Sequence, residues 1–424
     1  MSDADLERRT MRKVMWRLPP LMALMFLINQ LDRVNVSFAA LTMNADLGLS
    51  TTAYAWGAGI FFIAYFAFEV PSNLILERVG ARRWIARIMI TWGIISGAMA
   101  LVTGPTSFLI VRFLLGAAEA GFVPGLVLYI TYWFPPGYRA RATAIFFFAA
   151  PMGNAVAGML SVPLLAMDGI WGLTGWQWMF VVEALPAVFL GLYIIKSLPD
   201  RPRDARWLTD EEKGWLERNL QSGTHHGGVW EQIRAILNRR AGLLSLIYFT
   251  RNVSMYGVSL FLPLILAGAG LSNSQVGFAA TIPFATAAIG AVAWAWSSDR
   301  FNERHWHVIG AMLLAAGGLA AAALIGPSGW ALLAISLAAI GLYAQAVVFW
   351  SLPPLMLSGM AAAAGIAAIN ATGNLGGFVG PYIVGLTARG GDFSTGLYVM
   401  AGCALLSALL SLLLKILKWD EKSA

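Results

Sequence analysis

Ser107-Phe-Leu-Ile-Val-Arg112-Phe-Leu-Leu-Gly-Ala-Ala-Glu119-Ala-Gly-Phe-Val-Pro-Gly-Leu-Val-Leu-Tyr-Ile-Thr-Tyr-Trp133 carries two charges in an otherwise apolar run. The run exceeds the roughly 20 residues that a helix needs to cross a bilayer. A charge held at that depth costs roughly 2.5 kcal/mol or more. It persists where it faces a protected interior and works there. Asp32 and Arg33 interrupt an earlier run in the same way. Two acids and two bases within one half of such a chain point to a site for a negative solute and a proton.

Outward from this stretch the pattern repeats. The 424 residues are 58% hydrophobic and 12% charged, against about 25% charged in soluble domains. Twelve segments are expected to span, at roughly 18–40, 53–76, 83–103, 107–133, 141–165, 175–197, 241–267, 275–298, 306–326, 330–356, 361–388 and 394–417. The net charge of +7 is distributed by topology and argues against a nucleic-acid partner. Arg8, Arg9, Arg12, Lys13, Arg17, Arg78, Arg82, Arg83, Arg139, Arg141, Arg300, Arg304, Lys415, Lys418 and Lys422 fall at one set of segment ends. The alternate loops 104–107, 267–275 and 326–329 are almost bare of them. This positive-inside bias predicts cytoplasmic N- and C-termini. The first run follows a basic leader but is long, contains Asp32-Arg33 and lacks a small-residue cleavage site, so it is expected to stay as a span.

The expected fold class is therefore an all-α membrane protein, twelve transmembrane helices in two six-helix halves. Residues 1–17 form a cytoplasmic N-terminal segment, 18–198 the first half, 199–240 a cytoplasmic central loop, 241–418 the second half and 419–424 a tail. Within the loop, Thr209 with Glu212 three residues on fits a capping box. Trp215, Leu216 and Leu220 give that helix an apolar edge consistent with lying on the membrane surface, though a plain solvated linker explains it as well. Glu77, Arg78 and Arg82 in the turn after segment 2 are echoed by Asp299 and Arg300 after segment 8. Such acid–base clusters can pair in one conformation and release in another.

Cys403 is alone, and His225, His226, His305 and His307 have no acid cluster beside them, so no metal or cofactor site is expected. No nucleophile–base pair marks an enzyme. Glu69 and Glu183 read as structural pairing groups. Arg251 is the charge exception in the second half, where Trp350, Ser351, Asn370 and Asn374 are the neutral candidates for contact with a solute. Gly373-Asn374-Leu375-Gly376-Gly377 has no strand before it and reads as helix packing rather than a phosphate loop.

Several strings carry a resemblance when taken in order. They are Leu31-Asp32-Arg33-Val34-Asn35, Glu69-Val70-Pro71-Ser72-Asn73, Arg112 to Gly116 with Glu119-Ala120-Gly121-Phe122, Tyr132-Trp133-Phe134-Pro135, Gly175-Trp176-Gln177-Trp178 with Glu183, and Leu198-Pro199-Asp200-Arg201-Pro202. The chain resembles the major facilitator superfamily, two halves rocking about a central cavity, and within it the anion:cation symporter family. The resemblance implies that Arg33 and Arg112 serve an anionic substrate and that Asp32 and Glu119 take part in proton coupling. It also implies that Tyr65, Trp350 and Asn374 line the cavity. The physics agrees: arginine holds a carboxylate by a planar fork, and a carboxyl balanced between desolvation and a nearby arginine responds when an anion competes for that arginine. Adjacent helical residues diverge by about 100°, so Asp32 and Arg33 are expected to face different partners.

The implied partners are a small organic anion, a proton and the lipid bilayer of the cell inner membrane, for a monomeric carrier. Tartrate and related dicarboxylates or hydroxy acids match the wording of the chain best; 4-hydroxyphenylacetate or phthalate-type aromatic acids are the alternative. Sugar acids are disfavoured because Ala150 stands where their carriers place a glutamine. An efflux antiporter would carry a Gly- and Pro-rich motif in segment 5, which Met152-Gly153-Asn154-Ala155-Val156 does not make.

Overall fold

The computed structural model describes residues 3–220, 238–326, 328–357 and 360–417, the side chains of 77, 140 and 360–364 excepted. The first half comprises α1 (Asp3–Asp46), α2 (Thr51–Val79), α3 (Ala81–Ala98), α4 (Pro105–Glu119), α5 (Phe122–Trp133), α6 (Pro136–Leu165) and α7 (Gly175–Ser197). After α8 (Asp210–Asn219), the second half comprises α9 (Arg239–Gly268), α10 (Asn273–Arg300), α11 (His305–Ile325), α12 (Gly329–Phe349), α13 (Pro353–Met356), α14 (Met360–Asn374), α15 (Gly376–Thr387) and α16 (Ser394–Ile416). Taking α4–α5 and α12–α13 each as one crossing, eleven helices are long and apolar enough to span among the described residues. The pair α14–α15 supplies a twelfth crossing.

The expected twelve spans are present, with three of them broken. Segment 4 breaks at Ala120-Gly121, segment 10 at Trp350 to Leu352, and segment 11 at Leu375. Gly121 holds φ +84°, and a Cβ there would fall 2.4 Å from Ser72 Oγ, so glycine is required for both conformation and space. The first segment is longer than its apolar run. Helix α1 starts at Asp3 and passes through Pro19 and Pro20, because Thr10, Met11, Val14 and Leu18 are buried against the protein and outweigh the lost backbone donors.

The capping box of α8 forms as its spacing predicts: Thr209 Oγ1 accepts from Glu212 N at 3.3 Å, and Thr209 N donates to Glu212 Oε2 at 2.9 Å. Its apolar edge does not lie on a membrane surface. Trp215 and Leu216 are buried in the core of the first half, and Glu212 is tied to α1 through Arg9 and Lys13. Residues 221–237 and the tail 419–424 lie outside the described residues.

Within the first half α1 packs on α6, α3 on α7 and α2 on α4; in the second, α11 packs on α12 and α16, and α9 on α14 to α16. The halves meet along α6–α10, α2–α15 and α1–α9. Close approach there rests on small residues, as membrane helix packing requires. A Cβ on Gly158 would meet Gly277 O at 2.8 Å, and one on Gly277 would meet Gly158 O at the same distance. Tyr54 donates to Leu260 O at 2.8 Å and Thr281 Oγ1 to Ala155 O at 3.2 Å. These contacts lie toward the end remote from the chain termini.

Candidate functional site

Asp32 and Arg33 sit midway along the membrane-crossing part of α1, and the helical twist sends them apart. Arg33 Nε pairs with Glu119 Oε1 at the end of α4. Its guanidinium lies 5.0 Å from the Tyr65 ring centroid and 5.6 Å from that of Phe61. Tyr256 of the second half packs its ring 4.4 Å from that of Phe62, the residue beside Phe61. The ion pair is thus framed by aromatic side chains of α2, one of whose neighbours meets the second half. Such a pair is held out of bulk water, where charge–charge attraction is strong and any competing anion is felt directly.

Asp32 turns the other way. Its Oδ2 accepts from Trp92 Nε1 at 2.7 Å and its Oδ1 from Ser96 Oγ at 3.1 Å, with Asn35 Nδ2 at 3.5 Å. The carboxyl is therefore buried between α1 and α3, behind the Arg33–Glu119 pair.

Arg112 and Glu119 are both buried on α4, two turns apart, as their spacing predicts. They do not pair with one another. Arg112 Nε donates to Gly57 O at 3.0 Å and Nη2 to Ala58 O at 3.3 Å, while Nη1 has no partner. The reach depends on tight contact between α2 and α4, since a Cβ on Gly116 would stand 2.1 Å from Phe61 O. In this conformation Arg112 offers an anion only Nη1.

Glu69, a structural pairing group by its sequence, pairs across the halves. Asn370 Nδ2 donates to Glu69 Oε1 at 2.8 Å, and Asn374 Nδ2 lies 3.5 Å from Oε2. Asn374 is thereby brought against Glu69 of α2 from the second half. Trp350 is edge-on to Tyr248 at 5.0 Å. Arg251 is anchored, its Nε and Nη2 donating to Leu342 O at 3.0 and 2.7 Å and Nη1 to Asn252 Oδ1. Glu183 departs from its sequence reading: it is buried, yet neither carboxyl oxygen has a hydrogen-bond partner.

One turn cluster holds a pair of its own, and the other pairs with a residue from beyond the turn. Arg82 faces Asp200, which accepts from Arg82 N at 2.8 Å and lies 3.5 Å from Arg82 Nε. Asp299 pairs with Arg304 at 2.6 Å, and Arg300 stacks over Trp296 instead. Arg78 is exposed, and the Glu77 side chain lies outside the described residues. Burial pushes the Glu303 carboxyl up, but Trp306 N–H, His307 and Lys415 bring it below the usual carboxylate range. The Asp200 contact was hidden because only folding brings 200 beside 82. Among the described residues no group of three His, Cys, Asp or Glu side chains gathers that could hold a metal ion.

A profile of the Major Facilitator Superfamily matches residues 22–268 and 244–423. A protein of Agrobacterium vitis named "Putative tartrate transporter" is 49% identical over 97% of this chain and 92% of its own. The "Quinolone resistance transporter" of Acinetobacter baumannii is 42% identical over 94% of this chain and 93% of its own. Among solved structures, a bacterial homolog of the human lysosomal transporter Spinster, in an inward-facing and occupied conformation, superposes with a TM-score of 0.78. That likeness covers 96% of this chain and 98% of the other at 18% identity, and bears on the fold.

Proposed function

The chain belongs to the major facilitator superfamily, and from that premise we propose that it takes up a small organic carboxylate with protons by alternating access. It is a transporter and a multi-pass membrane protein. The observation that carries the proposal is the Arg33–Glu119 pair, buried at mid-membrane and framed by Tyr65 and Phe61. A proton on Glu119 removes the charge that holds Arg33, and the freed guanidinium takes the substrate carboxylate by its fork. Asp32 is the second proton-coupling acid, and Arg112 contributes its unpartnered Nη1. Trp350 and Asn374 close the cavity from the second half, and Glu69 joins the halves through Asn370.

With both termini in the cytoplasm of an inner-membrane protein, the Gly158–Gly277 approach and the Tyr54 and Thr281 hydrogen bonds lie on the periplasmic side, and the described conformation is read as closed there. Arg82–Asp200 and Asp299–Arg304 hold the two turns in that state, with Arg78 and Arg300 in the same turns. The substrate is read as tartrate or a related dicarboxylate or hydroxy acid, supported by the name given to the Agrobacterium vitis relative. Aromatic acids of the 4-hydroxyphenylacetate or phthalate type are the second reading, favoured by the Tyr248–Trp350 and Phe62–Tyr256 ring contacts.

Purified protein in liposomes with an internal pH dye tests the proposal. Tartrate, phthalate, 4-hydroxyphenylacetate, galactonate and a cationic quinolone are offered one at a time. Internal acidification with one acid, lost in Glu119→Gln while some exchange persists, is the expected result. Silence with every acid, or alkalinisation with the quinolone, would replace symport with efflux. Normal accumulation by Glu119→Gln would remove Glu119 from the coupling role.

A further inference from the structure

Behind the Arg33–Glu119 pair lies a second acidic group that the symport reading leaves unused. Glu183 of α7 is 5% exposed, and both its oxygens lack partners. The seam around it is tight: a Cβ on Gly93 of α3 would meet Ala184 O at 3.2 Å, and one on Gly97 would meet Ala184 Cβ at 3.4 Å. The charged group that acts on Glu183 is Asp32 of α1. From α3 come the neutral Trp92 and Ser96, both donating to Asp32. No charged side chain is seen to act on it from α6 or from the Met99–Leu101 turn among the described residues. Arg33, next to Asp32 in the chain, is turned to Glu119.

A carboxylate with neither a cation nor a donor is among the most costly groups to bury. A protonated carboxyl removes the charge and needs one acceptor for its O–H. Asn35, whose Nδ2 lies 3.5 Å from Asp32 Oδ1 and whose Oδ1 has no partner, is the polar side chain available to take that O–H. Asp32, with three donors, is accommodated as the carboxylate.

We propose that Asp32 and Glu183 form a buried carboxyl pair, bridged by Asn35, that holds one proton, resident on Glu183 in the described conformation. This rests on the symport reading and adds a proton site to it. When the Glu183 O–H bond breaks and the proton leaves to water, the two acids carry one negative charge more; passage of the proton to Asp32 would leave their total unchanged. The like-charge repulsion falls on α1 one residue from Arg33. Proton occupancy on the back of α1 is thereby felt at the substrate side of the same turn. Glu183 is a proton-carrying and positioning group and does not touch the substrate.

Infrared spectroscopy of the full-length protein in liposomes, with no substrate present, is the test. A protonated-carboxyl C=O band is expected, shifted in D2O, lost in Glu183→Gln and kept in Glu119→Gln. Its absence from the parent, or its persistence in Glu183→Gln, overturns the proposal. The band requires no transport, so failure of the anion reading would show separately as silence with every acid. In the same liposomes Glu183→Gln should catalyse substrate exchange but lose the roughly tenfold accumulation that a pH step of about one unit can drive. Undiminished accumulation would leave Glu183 a structural acid and overturn its part in coupling. Should Glu183→Gln not fold, Glu183→Asp should move the band, and an unmoved band again overturns the assignment.

Discussion

Arg112 illustrates how far a single residue can be read without its neighbours. Its type and depth marked it as functional, and the spacing to Glu119 placed both on the buried side of one helix. Its immediate partners, the carbonyls of Gly57 and Ala58, carry no signature in the sequence, because every residue has a carbonyl. The guanidinium spans two successive carbonyls, which a point ammonium cannot do equally well. Arg112→Lys is expected to lower stability by about 1.5–3 kcal/mol, the worth of a hydrogen bond to a charged group, and to reduce exchange. Thermal unfolding in detergent together with counterflow checks this; a variant equal to the parent in both would make the fork dispensable. Asp32 and Arg33, by contrast, diverge as helix geometry requires.

At the scale of elements, α8 shows the same division. Thr209 and Glu212 specify the cap locally, and the cap forms. That Glu212 also receives Arg9 and Lys13 depends on α1 extending below the membrane to meet it. Burial pushes the Glu212 carboxyl up, but Lys13, the Thr209 backbone N–H and Arg9 hold it below the usual carboxylate range. A depressed folded value means that docking is stabilised above the ordinary carboxylate range and loses that support as pH falls through the folded value. Protection factors of 210–219, taken relative to the intrinsic rate at each pH, should therefore be high at neutral pH and fall in acid. Glu212→Gln should show low protection at every pH, and equal, pH-independent protection in both would refute the latch. The breaks at Gly121 and Leu375 are also element-level facts. Gly121 was visible as a glycine, but its close approach to Ser72 was not.

For the whole molecule, alternating access requires the α6–α10 seam to open and close. Gly158 and Gly277 approach so closely there that a larger side chain has no room. Gly277→Leu is expected to hold that end apart and to slow exchange, with spin labels at Trp171 and Ser274 reporting a longer separation than in the parent. An unchanged distance would mean that the seam tolerates the side chain and is not the closing contact. Glu69 with Asn370 joins the halves at a different level, between positions 301 apart in the chain.

Twelve apolar runs, their two-half grouping and the four buried charges follow from composition and spacing alone. Bilayer thickness fixes how long an apolar helix must be, and the cost of burying charge makes each exception conspicuous. The partners of those charges were decided only by tertiary structure. Glu119 meets Arg33 rather than Arg112, Glu69 crosses to Asn370, and Glu183 is left with no hydrogen-bond partner. Which side chains meet depends on helix rotation and on the close approaches that small residues permit. Those are properties of packed pairs of helices, and no single helix encodes them.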